Sequence, residues 1–308
     1  MSSRVPRVLG LLFVVAASSF APRTTASPSP QPPPRRASLH YDIAGVAPLP
    51  FVRGTVGRES TWMLLDTGAS THVATATVAR RAGLRTTGTG DDVEDHAQAT
   101  LSSTRADLAQ VTLDGWGRMP AGKLLIIEQA DASLATKANV GVFLSPQRLD
   151  EGRIVILDLR VAEMRNGDEL DVIRTMATRP SDPLRQGVRG CSGVFVLSTR
   201  IDGQAADLLI DTGATRSVVY ETSGAGKLLS PRTTKSTLNG EVPSGKVPSR
   251  TFRDAHIEAG DWQVTSDIEL FSGGPPADCK TDGVLGFPAL RSCVLVFGPR
   301  HGQLRAKC

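Results

Sequence analysis

Phe51 to Ser70 reads FVRGTVGRESTWMLLDTGAS, and Phe195 to Thr215 reads FVLSTRIDGQAADLLIDTGAT. Each stretch opens apolar and passes through a polar, Gly-containing middle suited to a hairpin. It then reaches an apolar triplet, Met63-Leu64-Leu65 or Leu208-Leu209-Ile210, followed by Asp-Thr-Gly-Ala and a hydroxyl residue. A lone Asp-Thr-Gly is most often a turn tip, because Asp and Gly both favour turns. Two copies, each behind a buried-strand triplet, ask for more than a turn.

The likeness continues downstream. Val111-Thr-Leu-Asp-Gly-Trp116 corresponds to His256-Ile-Glu-Ala-Gly-Asp-Trp262, and the apolar run Leu124 to Ile127 to Ile268 to Phe271. Gly141-Val-Phe-Leu-Ser-Pro146 parallels Gly283-Val-Leu-Gly-Phe-Pro288, and the halves close on strand-like runs, Ile154 to Leu159 and Val294 to Phe297. Asp66 and Asp211 are 145 positions apart, Gly141 and Gly283 142. A period this long, occurring twice, means duplicated domains rather than a solenoid. Each half reads as short strands with polar, Gly-containing connections. Helices are expected over Ser70 to Gly83, with Val73, Thr77, Val78 and Ala82 on one face and Gly83 as the stop, and over Glu163 to Met176. Pro180, Pro183, Gly187 and Gly190 mark 178–190 as the boundary between the halves.

The 308 residues are 40% hydrophobic and 21% charged, enough apolar content for a core and too little charge for disorder. The net charge of +4 comes from the amino terminus: residues 1–36 hold Arg4, Arg7, Arg23, Arg35, Arg36 and no acid, and without them 30 basic face 31 acidic side chains. No nucleic-acid partner is implied. Arg4 and Arg7 precede an apolar core, Val8 to Ala17, too short to span a bilayer, and Thr24-Thr25-Ala26 suits cleavage before Ser27. Residues 1–26 thus read as a signal peptide and 27–44 as a Pro-rich linker (SPSPQPPPRR within it). Residues 45–177 are the first lobe plus connector, 178–190 the interlobe linker and 191–308 the second lobe, with folded protein beginning near Leu39. The expected location is outside the cytoplasm, periplasmic or secreted, with no membrane insertion after cleavage. The four cysteines, Cys191, Cys279, Cys293 and Cys308, allow three pairings; Cys279–Cys293 with Cys191–Cys308 is preferred because each ties neighbouring or terminal segments.

If the halves pack about a pseudo-twofold axis, Asp66 and Asp211 meet at its centre. Two carboxylates a few ångströms apart cannot both ionise cheaply, so the pair shares a proton. The ionised member can take a proton from water while the other donates to a carbonyl oxygen, which is hydrolysis without a covalent intermediate. Gly68 and Gly213 allow close backbone approach, and the Thr67 and Thr212 hydroxyls can bond across the seam.

On these residues the chain resembles aspartic proteases of the pepsin/retropepsin clan, most closely bacterial retropepsin-like proteases, here with two units in one chain. The resemblance covers roughly 45–160 and 190–305. It implies an all-β, bilobal aspartic-protease fold with two pseudo-twofold-related β-barrel-like lobes and a few short helices. Its active-site loop maps onto Asp66, Thr67, Gly68, Ala69 and Asp211, Thr212, Gly213, Ala214, with Asp66 and Asp211 catalytic. The implied activity is endopeptidase cleavage of a peptide or protein substrate by one monomeric chain. The competing readings are an inactive peptide-binding or inhibitory member of the fold, and activity assembled between two copies. Asp282-Gly-Val-Leu-Gly286 matches the family's later apolar-apolar-Gly signature; in the first half Leu144 stands where that Gly is expected. Ala69 and Ala214 lack the hydroxyl that pepsins carry, which implies a less acid-shifted pair. The only tyrosines, Tyr41 and Tyr220, do not supply the pepsin flap residue, and spacing suggests flaps over 86–98 and 234–246.

The remaining signals are weaker. Asp91, Asp92, Glu94, Asp95 and His96 read as a solvated acidic loop, and no metal or cofactor is expected, since no ligand-loop pattern or H-E-x-x-H is present. G-x-S-x-G and the phosphate-cradling glycine loop are absent too. Trp116 and Trp262 read as core or turn anchors, and His72, close after the first loop, as a structural residue packed on the following helix rather than one that tunes the site.

Overall fold

The computed structural model describes residues 35–94, 100–127, 140–149, 153–176, 185–186, 188–190, 193–233, 237–242, 245–275, 279–298 and 304–308. It is the all-β, two-lobed architecture expected, with short helices at the edges.

Both lobes are wound the same way. The hairpin Phe51–Val56 and Glu59–Leu65 delivers Asp66 at its end. The hairpin Val194–Ile201 and Gln204–Asp211 delivers Asp211, turning at Asp202 and Gly203, both at positive φ as a tight Asp-Gly hairpin turn requires. The delivering strand then pairs in parallel with a later strand, Val140–Leu144 or Gly283–Gly286. That later strand also pairs antiparallel with the strand that follows the Asp loop, His72–Thr75 or Ser217–Tyr220. A fourth strand lies parallel to that one, Lys123–Ile127 or Trp262–Phe271. Each Asp-Thr-Gly thus crosses between two strands that flank the same central strand. The sequence supports this through aliphatic and β-branched runs: Trp262–Phe271 alternates in burial over its first six residues and is fully buried over its last four, where it enters the lobe.

A third sheet joins the lobes. Its strands, in order, are Arg36–Ser38, Glu163–Gly167, Ile154–Asp158, Val294–Phe297, Leu304–Lys307 and Arg185–Gln186. The two closing runs seen in the sequence pair with one another, Val155 opposite Phe297 and Asp158 opposite Val294. One continuous apolar core runs through both lobes, from Phe51, Met63 and Leu144 to Leu208, Leu285 and Phe297.

Several expectations are corrected. The helix after Asp66 is Ala76–Ala82, capped by Thr75 and stopped at Gly83, whose φ is 65°; His72–Thr75 is strand because Val73 and Thr75 have a parallel partner in Lys123–Ile127. Glu163–Gly167 is likewise strand, and the second helix is Glu169–Met176. Ordered sheet begins at Arg36, before Leu39 and inside the expected linker. Within 178–190, Arg185–Gln186 and Val188–Gly190 are sheet strands. Residues 1–34 and 177–184 lie outside the described residues, and with them the signal-peptide segment. The preferred disulfides are overturned: Cys293 bonds Cys308, and Cys279 is in a disulfide of its own, while Cys191 lies outside the described residues. Cys293 sits at the start of Val294–Phe297 and Cys308 at the end of Leu304–Lys307, neighbouring strands of the joining sheet, which brings the two together. Closing this 15-residue separation removes unfolded-chain entropy. The double variant Cys293→Ser/Cys308→Ser should therefore lose about 3 kcal/mol in urea unfolding, and peptide mapping without reductant should recover the 293–308 pair.

Candidate active site

The two Asp-Thr-Gly loops meet between the lobes and interlock. The Thr67 N–H donates to Thr212 Oγ1 at 3.1 Å, and the Thr212 N–H donates to Thr67 Oγ1 at 3.0 Å. Each hydroxyl then donates onward across the seam, Thr67 Oγ1 to the Ile210 carbonyl at 2.8 Å and Thr212 Oγ1 to the Leu65 carbonyl at 2.6 Å. Both threonines are buried. A hydroxyl suits this place because it accepts one hydrogen bond while donating another.

The glycines fix the second constraint. A Cβ on Gly68 would sit 2.6 Å from Asp211 Cγ, and a Cβ on Gly213 would sit 2.7 Å from Asp66 Cγ. Each glycine therefore lies against the carboxyl of the opposite lobe, and any larger residue would collide with it. The loop amides complete the cradle. Gly68 and Ala69 N–H donate to Asp66 Oδ1 at 2.9 and 3.0 Å, and Gly213 and Ala214 N–H to Asp211 Oδ1 at 2.7 and 3.1 Å.

Asp66 and Asp211 are hydrogen-bonded to each other. Burial, then the charge of Asp211 and the hydrogen bond with it, hold Asp66 well above the usual carboxylate range, against the opposing pull of the Gly68 and Ala69 N–H groups. The structure thus brings all eight loop residues named from the sequence into one place. The arrangement can hold a proton between two carboxyls, and it can do so at the junction of two lobes, where an extended chain could lie.

Residues 52–139 and 197–289 match the family model described as aspartyl protease. The chain belongs to the aspartyl protease family. No curated protein sequence matches it. Among solved structures it is similar to basic 7S globulin from soybean, at 11% identity, with a TM-score of 0.51 and coverage of 89% of this chain and 94% of that one; at that identity the likeness concerns the fold.

The two halves of this member of the aspartyl protease family differ behind the loops. Gly286 is the register partner of Asp211, whereas Leu144 pairs with Leu65, one residue earlier. The position equivalent to Gly286 is therefore Ser145, not Leu144; an irregularity between Val140 and Val142 shifts the register by one. A Cβ on Gly286 would meet the Arg216 carbonyl at 2.3 Å, and there the Gly286 N–H donates to Ser217 Oγ at 3.1 Å. In the first lobe the Ser145 N–H donates instead to His72 Nδ1 at 3.2 Å. The imidazole thus takes the place of the Ser217 hydroxyl as acceptor.

The next residue differs as well. The Phe287 N–H donates to the Ala214 carbonyl at 2.9 Å. Its counterpart, Pro146, has no N–H to give. The amide of Gln147 takes over, its Nε2 reaching the Ala69 carbonyl at 2.9 Å and the Thr67 carbonyl at 3.3 Å. Gln147 and His72 are thus supports of the first loop that the sequence did not single out as such; the proline in a repeat position that needs a donor is the signal for Gln147.

The suggested flaps fall on real strands. Val93–Glu94 pairs with Thr100–Leu101, and Val93 and Leu101 pack on Val73, Leu125, Ile127 and Phe143; residues 95–99 lie outside the described residues. Thr237–Val242 pairs with Gly245–Ala259, and Val247 packs on a cluster that includes Tyr220 and that Ala214 also packs against, which puts the base of this hairpin beside the second loop; residues 234–236 and 243–244 lie outside the described residues. Neither tyrosine is in a flap: the Tyr41 hydroxyl donates to the Leu159 carbonyl at 2.7 Å, and Tyr220 is buried, its hydroxyl held in the protonated form by burial and by Asp211. Asp91 is ion-paired with Lys123 and Arg105, and among the described residues no metal-binding cluster is found. Trp116 is buried in the core and Trp262 packs against it.

Two measurements test this geometry. Thr212→Val leaves the Thr67 N–H and the Leu65 carbonyl without a partner in a dry seam, so unfolding should cost about 2–4 kcal/mol less than in the wild type; an unaffected stability would contradict the interlock. His72 is neutral, since burial lowers its pKa from 6.5 to about 4, with Arg148 the charged group acting on it. The unfolded chain takes up that proton below pH 6.5 and the folded chain does not. Stability should therefore be full above pH 6.5 and fall by about 1.4 kcal/mol per pH unit towards pH 4. In His72→Gln this dependence should flatten in urea titrations at pH 7, 5.5 and 4.5.

Proposed function

We propose that this protein is an exported aspartic endopeptidase, active as one chain, in which Asp66 and Asp211 activate a water molecule. The single observation that carries the proposal is the mutual contact of the two carboxyls, each backed by the glycine of the other lobe. Export is supported by the basic-then-apolar start of the sequence and by the Cys293–Cys308 disulfide, a bond that persists in oxidising compartments. No helix among the described residues is long and apolar enough to cross a membrane.

The chemistry follows from one proton held by two acids. Water bound between them gives a proton to the ionised carboxylate as its oxygen attacks the peptide carbonyl carbon. The protonated carboxyl of the pair donates to the carbonyl oxygen, which yields a neutral tetrahedral diol. On collapse the proton taken from water is delivered to the amide nitrogen, the C–N bond breaks, and one hydroxyl returns its proton to the pair. Atoms and charge balance without a covalent enzyme intermediate. The loop amides of Gly68, Ala69, Gly213 and Ala214 keep each Oδ1 oriented throughout. The hairpin ending in Gly245–Ala259 covers the substrate from the second lobe.

The test is cleavage of unstructured protein or a mixed peptide pool by the purified chain. Asp66→Asn and Asp211→Asn should each lower kcat by about 10^2–10^4-fold, with unchanged circular dichroism. Full activity in either variant removes the proposal. Because neither Ala69 nor Ala214 offers a hydroxyl to its carboxyl and His72 resists protonation, the pH–rate profile should peak above pH 4; a maximum near pH 2 would contradict this account. Activity proportional to protein concentration, with a monomer in sedimentation, distinguishes the single-chain site from one shared between copies.

A further inference from the structure

The two lobes differ at one more equivalent position, and this one carries charge. Leu125 is the register partner of Val73, seven residues after Asp66. Its counterpart, the partner of Val218, is Glu269. Glu269 is 6% exposed, accepts from Ser249 Oγ at 3.1 Å, and is ion-paired with Arg216. A buried carboxylate is expensive unless it is paired and hydrogen-bonded. Since leucine fills the same place in the first lobe, packing alone does not call for a charge here.

The pair sits beside the candidate active site. Arg216 is five residues after Asp211, and its carbonyl lies against Gly286, the strand partner of Asp211. Ser249 belongs to the strand of the covering hairpin whose Val247 packs on the Ala214 cluster. Glu269 therefore stands between hairpin and loop. Its partner does not follow it inward: the Arg216 side chain remains 56% exposed. A guanidinium has five N–H donors in a fixed fork. Nη1 is held by Glu269, which anchors one end of the group while the rest of the side chain stays exposed to solvent.

We propose that Arg216, oriented by Glu269, binds an acidic side chain of the peptide substrate and so determines specificity. This rests on the peptide-hydrolase reading above. Glu269 is the positioning residue, and Arg216 touches the substrate.

The test uses internally quenched peptides with blocked ends, identical except for a single Glu or Gln placed at each position in turn around the cleaved bond. In the wild-type chain, Glu at one position should raise kcat/KM about tenfold over Gln, through KM, as one charge-assisted hydrogen bond would. In Arg216→Gln/Glu269→Gln, which leaves no buried unpaired charge, that ratio should fall to about one. In Glu269→Gln it should fall part of the way, again in KM. The ratio is internal to each variant, so partial unfolding cancels. A Glu/Gln ratio near one at every position in the wild type, or a preference that survives the double variant, overturns the proposal while leaving the hydrolase reading intact. If no peptide is cleaved, the same pairs are titrated onto the wild-type chain by fluorescence anisotropy. Glu-selective binding lost in the double variant upholds Arg216 although the hydrolase reading has failed, and equal binding of both peptides overturns it.

Discussion

Two hydroxyls hold the centre of this molecule together. Thr67 and Thr212 each accept from the other's backbone N–H and donate to a carbonyl beyond it, so the two loops have one mutual position. Every other feature of the site depends on that position. It sets each glycine against the opposite carboxyl at a distance no Cβ could share, and it is what forces two acids into contact. That contact is unfavourable in itself, because burial and a neighbouring carboxyl both disfavour charge. It persists because the lobes are locked elsewhere, by an apolar core running through both and by a sheet to which both contribute strands. The strain of the acids is small beside that scaffold.

Duplication gave the halves one topology, and later substitution gave them different supports. The differences are linked rather than independent. Where glycine follows Leu285, the strand approaches closely and a serine hydroxyl suffices to receive its N–H. Where serine follows Leu144, a histidine ring receives the N–H instead. Where Pro146 removes a backbone donor, Gln147 restores it from its side chain. The carbonyl of the alanine three residues after each aspartate keeps a donor while the residue that supplies it changes, as expected when an unsatisfied buried carbonyl costs more than a swapped partner.

This explains what could and could not be read from the chain alone. The loops, their glycines and threonines, the apolar runs beside them and the two-lobed all-β fold were legible, because duplication prints each twice and each has a local physical reason. The start of the helix after Asp66 was not legible: His72 to Thr75 has helical spacing, and only its distant partner Leu124–Ile127 makes it a strand. The same holds for Glu163–Gly167, which pairs with Ile154–Asp158. Register was off by one at Leu144 because the irregularity near Val140 leaves no trace in composition. The Cys293–Cys308 bond depends on two neighbouring strands meeting in a sheet shared by both halves, which spacing does not encode.

The site and its support make opposite demands on protons. The carboxyl pair must hold one, and burial with the Asp211 charge makes Asp66 keep it to higher pH than a free acid would. His72, six residues after Asp66 at the start of the next strand, must hold none, because its Nδ1 receives the Ser145 N–H and a protonated imidazole has no acceptor to offer. A second positive charge there would also face Arg148. Acid strong enough to protonate both carboxyls would therefore also break the support of the first loop. An upward-shifted pair removes that conflict, since a singly protonated dyad is then available at a pH where the imidazole is still neutral. The raised acid and the buried base are two sides of one adjustment, and a chain that placed histidine here with a strongly acid-shifted pair would undermine its own loop under working conditions.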